Sequence, residues 1–217
     1  MKSKVALTGL FVAAFAVSRI PGLLPANFSV AYAFVFCAGV YLRGPLGWWL
    51  PLATILATDL GLDIYYAHQG FQVWDAADLE SMLFNYTAYA LLILLGRGYK
   101  PKSSLLGLLG GGILGAFLFY FLTNTAAWFF NPYHSPEYVR NLTGWLIALT
   151  KGVGGYPTTL SFFLKTLISG GLFTALFAGA EKLTAESPAE KNAGVREPEA
   201  APEADPEPAA EFKEAGA

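Results

Sequence analysis

Six apolar stretches, at about 5–20, 29–43, 46–66, 79–97, 104–130 and 157–180, fill the first 180 residues and leave mostly short connections between them. A bilayer-crossing helix needs roughly 20 mostly apolar residues, so the sequence predicts an all-α integral membrane protein with six transmembrane helices. Composition agrees: 54% of the 217 residues are hydrophobic and 14% are charged, against about 25% charged in a typical soluble domain. The charge is unevenly divided. Residues 1–180 carry ten Lys or Arg and six Asp or Glu, and 181–217 carry four and ten, so +4 and −6 give the −2 of the whole chain. From residue 183 the sequence is rich in Ala, Glu and Pro, a composition that cannot bury enough apolar surface to offset ordering entropy. The expected organisation is a membrane domain over 1–182 and a disordered acidic tail over 183–217, either simply solvated or a docking segment for a partner.

Lys2 and Lys4 before the first apolar run fit a retained helix or a signal peptide. No Ala-x-Ala cleavage pattern follows, and Arg19 precedes any workable cut, which favours the retained helix. With the N-terminus inside, Lys2, Lys4, Arg43, Arg97, Lys100, Lys102 and Lys182 fall on the inner side, and Arg19, Arg140 and Lys151 on the outer. That asymmetry predicts both termini in the cytoplasm. Trp48 and Trp49 then mark the inner interface, and Trp74 and Trp145 the outer one. Between the fifth and sixth stretches, Val139, Leu142, Leu146 and Leu149 share a stripe too short to cross, which predicts a short amphipathic helix lying at the outer interface. The Gly152–Gly155 joint and Pro157 follow it, so this helix is either a lid on a hinge or a plain connector.

Small residues and polar residues occupy different depths. Gly107, Gly111 and Gly115, like Gly171, Ala175 and Gly179, recur every fourth residue toward the inner side, a pattern that lets helix backbones approach. At 1.5 Å of rise per residue, Asp59 lies roughly 10 Å below the outer end of its stretch, Asn85 and Asn124 roughly 9 Å, and Lys165 roughly 12 Å. Asp63, Thr123, Thr125, Tyr86, Arg19 and Trp128 lie at or just above that layer. Helices pinned at their inner ends and polar near their outer ends predict a cavity open to the outside that holds a polar solute. The competing reading has Asp59 and Lys165 neutralising each other while the amides cross-link helices. A metal site from Asp59, Asp63 and His68 is conceivable on spacing, but the pattern is weakly specific. Cys37 is the single cysteine, which leaves no intrachain disulfide and no cysteine metal cluster.

The segments PANFS (25–29), LATD (56–59), FYFLTNTAAWF (119–129), GWLIAL (144–149), GYPTTLSFF (155–163) and LFTALFAG (172–179) resemble those of an uncharacterised bacterial family of six-helix membrane proteins. That family in turn resembles the substrate-capture, or S, components of energy-coupling-factor transporters. The resemblance covers about residues 19–180. It implies a solute pocket near the outer face of a bacterial cytoplasmic membrane and a first helix whose small residues contact energising subunits. Asn27, Asp59, Asn124 and Trp128 match recurrent positions of the family. Lys165 stands where an amide is expected, and Gly170 where an acid is. With the depth argument, the candidate substrate-binding set is Asn27, Asp59, Asp63, Asn85, Asn124, Trp128 and Lys165.

The expected partners are the lipid bilayer, a small polar solute and energising transporter subunits, with no cofactor, no metal and no nucleic acid. The chain has no phosphate-binding glycine loop, no G-x-S-x-G elbow and no His-Glu-x-x-His motif. With only two histidines, His68 and His134, it is not expected to be an enzyme. The leading expectation is a membrane solute-binding protein. The alternative is a structural or interaction subunit of a larger membrane assembly. An independent secondary transporter finds no support in paired broken helices or an inverted repeat.

Overall fold

Asp75, Ser104 and Asn141 each place a side-chain oxygen on a backbone N–H three residues on, at 2.8, 3.1 and 2.8 Å, and so start three helices in the way short polar residues do. Asn131, in the left-handed conformation at φ 49°, ends another. The computed structural model describes residues 2–42 and 44–192. Among them it is all helical: α1 (Lys2–Ser18), α2 (Ala31–Tyr41), α3 (Leu46–His68), α4 (Ala76–Arg97), α5 (Leu105–Phe130), α6 (Leu142–Thr150) and α7 (Thr159–Asn192). Helix α7 continues to Asn192, into the segment expected to be disordered from 183. Ala, Glu and Lys, which dominate there, are strong helix formers. The rest of that tail, 193–217, lies outside the described residues.

Three helices, not six, are long and apolar enough to cross a membrane: Ala76–Arg97, Leu105–Phe130 and, within α7, Thr159–Thr184. The other expected spans fall short for separate reasons. Helix α1 has 17 residues and α2 only 11, about 16 Å at 1.5 Å per residue, because residues 19–30 between them are not helical. Helix α3 has 23 residues, but Pro51, Asp59 and Asp63 lower its apolar character.

The unit formed by the first 184 residues is organised around the short helix α2. Every residue of α2 from Ala31 to Val40 is buried. It packs on α4 most extensively and on α5, α3 and α1 as well. Gly39 of α2 and Gly96 of α4 make this possible: a Cβ on Gly39 would run into the Ile93 carbonyl and reach 3.1 Å from Gly96 Cα, and one on Gly96 would meet the Phe36 carbonyl. Neither glycine belongs to the stripes read from the sequence. Of those stripes, Gly111 takes the Phe36 and Tyr99 rings, Gly115 faces Leu92 and Leu95 and Gly171 faces Ile113 and Leu109 of α5, but Gly179 faces open space. The α5–α7 contact also runs through Gly112 against Thr174 and Gly170 against Ala116.

The large apolar residues point the other way. Leu160, Leu164, Ile168, Leu172 and Leu176 form an exposed stripe along α7, while Thr159, Thr166, Ser169 and Thr174 of the same helix are buried. Small and hydroxyl-bearing side chains inside with leucines outside is the arrangement that suits a lipid solvent. Helix α6 follows the same rule. Leu142 and Leu146, at 67% and 49% exposure, face outward, while Gly144 and Ala148 are buried. Trp145 donates to Thr125 Oγ1 at 3.1 Å and the Tyr120 hydroxyl donates to the Leu149 carbonyl. Thus α6 lies along the second half of α5 rather than across the end of the bundle.

Two basic residues tie the ends that meet near Arg97. Arg97 donates to the Gly44 carbonyl at 2.7 Å with its guanidinium 4.9 Å from the Trp48 ring centroid, and Lys182 donates to the Ser103 carbonyl at 2.8 Å.

Overfilling of a tight helix contact costs about 1–3 kcal/mol. Gly39→Ala and Gly96→Ala are therefore expected each to lower the stability of the purified protein by about that amount in thermal unfolding. Gly9→Ala and Gly61→Ala, whose new methyl groups meet nothing, should leave Tm within a degree or so.

Candidate functional site

The chain leaves α1 at Ser18, and the next residue reaches across the bundle. Arg19 Nη2 donates to Asp59 Oδ1 of α3, and the Tyr86 hydroxyl of α4 donates to the other carboxylate oxygen, Asp59 Oδ2, at 3.1 Å. Tyr86 is midway along the 22 residues of α4, so the ion pair sits far from the helix ends. Its side chains are 28% and 22% exposed; Arg19 borders two cavities and Asp59 one of them. Asp59 therefore pairs with Arg19 and not with Lys165, as the cross-linking reading expected. Arg19, expected at or just above the polar layer, is the partner of Asp59 within it.

The first cavity, about 420 Å³, lies on the α1–α2 side of the pair. Its walls come from the irregular segment 19–30 (Leu24, Pro25, Asn27, Phe28 and Ser29), from Tyr32, from Asn85 and Tyr89, from Phe119 to Asn124 on α5 and from Thr159, Phe162 and Thr166 on α7. Non-helical backbone among membrane-type helices is tolerated where it is covered by protein or lines a polar cavity. The turn at Asn27, φ 62°, is a conformation asparagine accepts more readily than most residues. The second cavity, about 520 Å³, lies between α3, α4 and the α3–α4 loop and is lined by Asp59, Asp63, Asp78, Tyr86 and Trp74 among others. Arg19, Asn85 and Tyr89 are walls of both.

Of the seven sequence-predicted site residues, five reach these cavities. Asn27 and Asn124 line the first, Asp59 and Asp63 the second, and Asn85 both. Asn124 Nδ2 donates to the Tyr120 carbonyl at 2.7 Å, which leaves its oxygen for another partner. Asn27 and Asn85 make no side-chain hydrogen bond within the described residues. Asp63 Oδ2 accepts from Trp74 Nε1 at 2.9 Å and so holds a tryptophan at φ 67°, an outlying conformation for a bulky residue, over the second cavity.

Trp128 and Lys165 line neither cavity. Trp128 Nε1 donates to the Val139 carbonyl at 2.8 Å and serves the α5–α6 connection. Lys165 is half-buried on α7 without an ion pair among the described residues. No three His, Cys, Asp or Glu side chains come together as a metal site among the described residues; Asp59 and Asp63 are already engaged by Arg19, Tyr86 and Trp74. Sequence reasoning missed Arg19 as the partner of Asp59, and Tyr32 and Tyr89 as walls.

Three helices long and apolar enough to cross a membrane, among the described residues, and an exposed leucine stripe along α7 are the features of a helical membrane protein. The chain belongs to the family of unknown function DUF6580, whose model matches residues 1–192. No curated protein and no solved structure matches it.

At the far end from Arg97, Glu137 Oε1 accepts from the Gly154 amide at 2.9 Å and ties the α5–α6 loop to the glycine joint after α6. That amide, and next the residue's own, hold the Glu137 carboxylate below its ordinary value of 4.5. A lowered folded-state value means the tie is fully present above about pH 4.5 and is lost as pH falls through the lowered value. Glu137→Gln should accordingly raise amide hydrogen exchange across 152–155 at neutral pH without changing Tm appreciably.

Removing one member of a buried ion pair costs about 3–5 kcal/mol because the other charge is left unpaired. With both groups about a quarter open, Arg19→Ala or Asp59→Ala should cost about 3 kcal/mol each. The double variant Arg19→Met/Asp59→Leu should cost clearly less than the two single losses added, as read by a double-mutant unfolding cycle.

Proposed function

We propose that this chain is a membrane solute-binding protein resembling the substrate-capture component of an energy-coupling-factor transporter. The observation that carries the reading is the pair of polar cavities meeting at Arg19, Asn85 and Tyr89, midway along the helices, with the Asn27 and Asn85 amides turned to them without a protein partner. Asn27 is exposed and Asn85 half-buried, and in this reading their open amides at the cavity walls are the groups a solute engages. In this reading α1, α2 and α3 complete a six-helix body around the three apolar spans. Both termini are cytoplasmic in a bacterial inner membrane, and the cavities lie toward the outer face. Lipid-facing leucines surround the body, and α1, which carries Val5, Leu10 and Val17 exposed, contacts the energising subunits. The chain itself performs no catalysis; energy comes from those subunits, since it carries no phosphate-binding loop.

The second reading, a structural or interaction subunit of a larger assembly, draws on the internal satisfaction of Asp59 by Arg19 and Tyr86 and of Asn124 by Tyr120. Under it the polar layer only fastens helices, and the acidic tail tethers a partner.

Native mass spectrometry of the full chain, purified gently from its own host, tests the two. Solute capture expects one non-lipid molecule per protein, released at least about tenfold more readily from Asn85→Ala, the loss of a hydrogen bond or two, with Tm unchanged. An empty protein with partners that depend on residues 185–217 would falsify it in favour of the second reading.

A further inference from the structure

The walls of the first cavity narrow the chemistry of the solute, and this inference rests on the solute-binding reading above. Arg19 is the one charged side chain among those walls, and no carboxylate lines the cavity. Its partner Asp59 is a wall of the second cavity only. Asp59 faces the second cavity alone while Arg19 borders both, so the first cavity meets only the positive end of the ion pair. Asp63 and Asp78 deepen the negative side.

The guanidinium is under-used. Nη2 donates to Asp59, Nε is enclosed without an acceptor, and Nη1 has no hydrogen-bond partner within the described residues. Five N–H donors in a planar fork fit a carboxylate edge-on better than any other common anion-recognition group does. In a water-poor site such a contact is stronger than at a surface. Around it, the Asn124 oxygen is an acceptor left over from its bond to Tyr120. Tyr89 and Phe119 stack with ring centroids 4.9 Å apart, and Tyr32 packs on Phe119 at the same distance. These rings form an aromatic wall beside the cavity.

We propose that the first cavity takes a small organic acid, its carboxylate against the open edge of the Arg19 guanidinium and a planar or aromatic body along the Tyr32, Tyr89 and Phe119 wall. Asp59 is then a positioning residue: it fixes the plane of the guanidinium from the far side, and Tyr86 fixes Asp59. A cationic solute is rejected by the same charge that draws the acid. The acidic second cavity meets the Asp59 carboxylate as well as Arg19 and does not compete for the acid.

Benzoate, benzamide and benzylamine share a ring and differ in head-group charge, so they read this assignment directly. Full-length protein in lipid nanodiscs is presented with each at millimolar concentration, and binding is followed by saturation-transfer NMR and thermal shift. Benzoate is expected to bind about tenfold more tightly than either of the others, the worth of a charge-assisted hydrogen bond. Arg19→Gln/Asp59→Asn removes both charges together and leaves neither buried charge alone, which keeps the fold testable by Tm. In it the preference for benzoate is expected to vanish, an effect that a merely structural role for the pair would not produce. Equal or better binding of the amide or the amine, or a preference that survives in the double variant, overturns the organic-acid assignment and leaves solute capture standing. Binding of none of the three also overturns it. In that case a co-purified non-lipid molecule in the native mass spectrum retains solute capture, and an empty protein rejects both.

Discussion

The Arg19–Asp59 contact, braced by Tyr86, is the interaction on which the architecture of this bundle depends. Helix α1 stops at Ser18, and the chain then runs twelve residues without helix before α2 begins. Backbone in that state carries unmatched N–H and C=O groups and has no place against lipid. Anchoring its first residue to α3 and α4 ties the segment to the bundle, with the Asn27, Phe28 and Ser29 side chains among the walls of a cavity and residues 20–23 and 25–27 exposed. The shortness of α2 follows from the same detour.

A short helix can sit at the centre only if its neighbours come close, which is the work of Gly39 and Gly96. Their backbones meet without an intervening side chain, and Phe36 then reaches Tyr99 and Gly111. The close contact of α2 with α4 near Arg97 leaves the opposite half of the helices splayed around polar groups. The aromatic residues fill that half incompletely: Tyr32, Phe119 and Tyr89 pack on one another, yet room remains on either side of the guanidinium. A third cavity of about 430 Å³ lies at the other end, beside Gly39 and Arg97, but it is not bordered by the Arg19–Asp59 pair.

Much of this was legible in the sequence. Depth along each helix follows from counting residues, which put Asp59, Asn85 and Asn124 in one layer, and the structure brings Asn124 to the first cavity, Asp59 to the second and Asn85 to both. What counting cannot supply is the angle around the helix axis. Lys165 shares the depth of Asp59 but lines neither cavity, and Trp128 turns to the α5–α6 connection. Arg19 was not read as the partner of Asp59 because a charge after an apolar run looks like a loop residue, and only a partner 40 positions away reveals its role. The stripe in α6 does face outward at Leu142 and Leu146, as an interfacial stripe does. Its course along α5 is set by tertiary contacts of Trp145 and Leu149 that no stripe reveals. Gly39 and Gly96 gave no signal, since each is a single glycine and their contact is purely tertiary.

Stability alone is a poor account of the ion pair. Replacing a buried pair by well-packed apolar side chains of similar volume is often neutral or stabilising, and a methionine and a leucine could anchor the α1–α2 segment to α3. What such a replacement cannot do is keep a cavity wetted by polar walls or aim a planar donor into it. Arg19 leaves most of its donors unspent on protein, Asn85 and Asn27 leave theirs wholly unspent, and all three border the same cavity. A network whose purpose was only to fasten helices would close these bonds internally, as Trp145 and Thr125 or Tyr120 and Leu149 do a few residues away. The proposed recognition on the α2 side of the bundle rests on this difference between the satisfied contacts around α6 and the open ones beside α2.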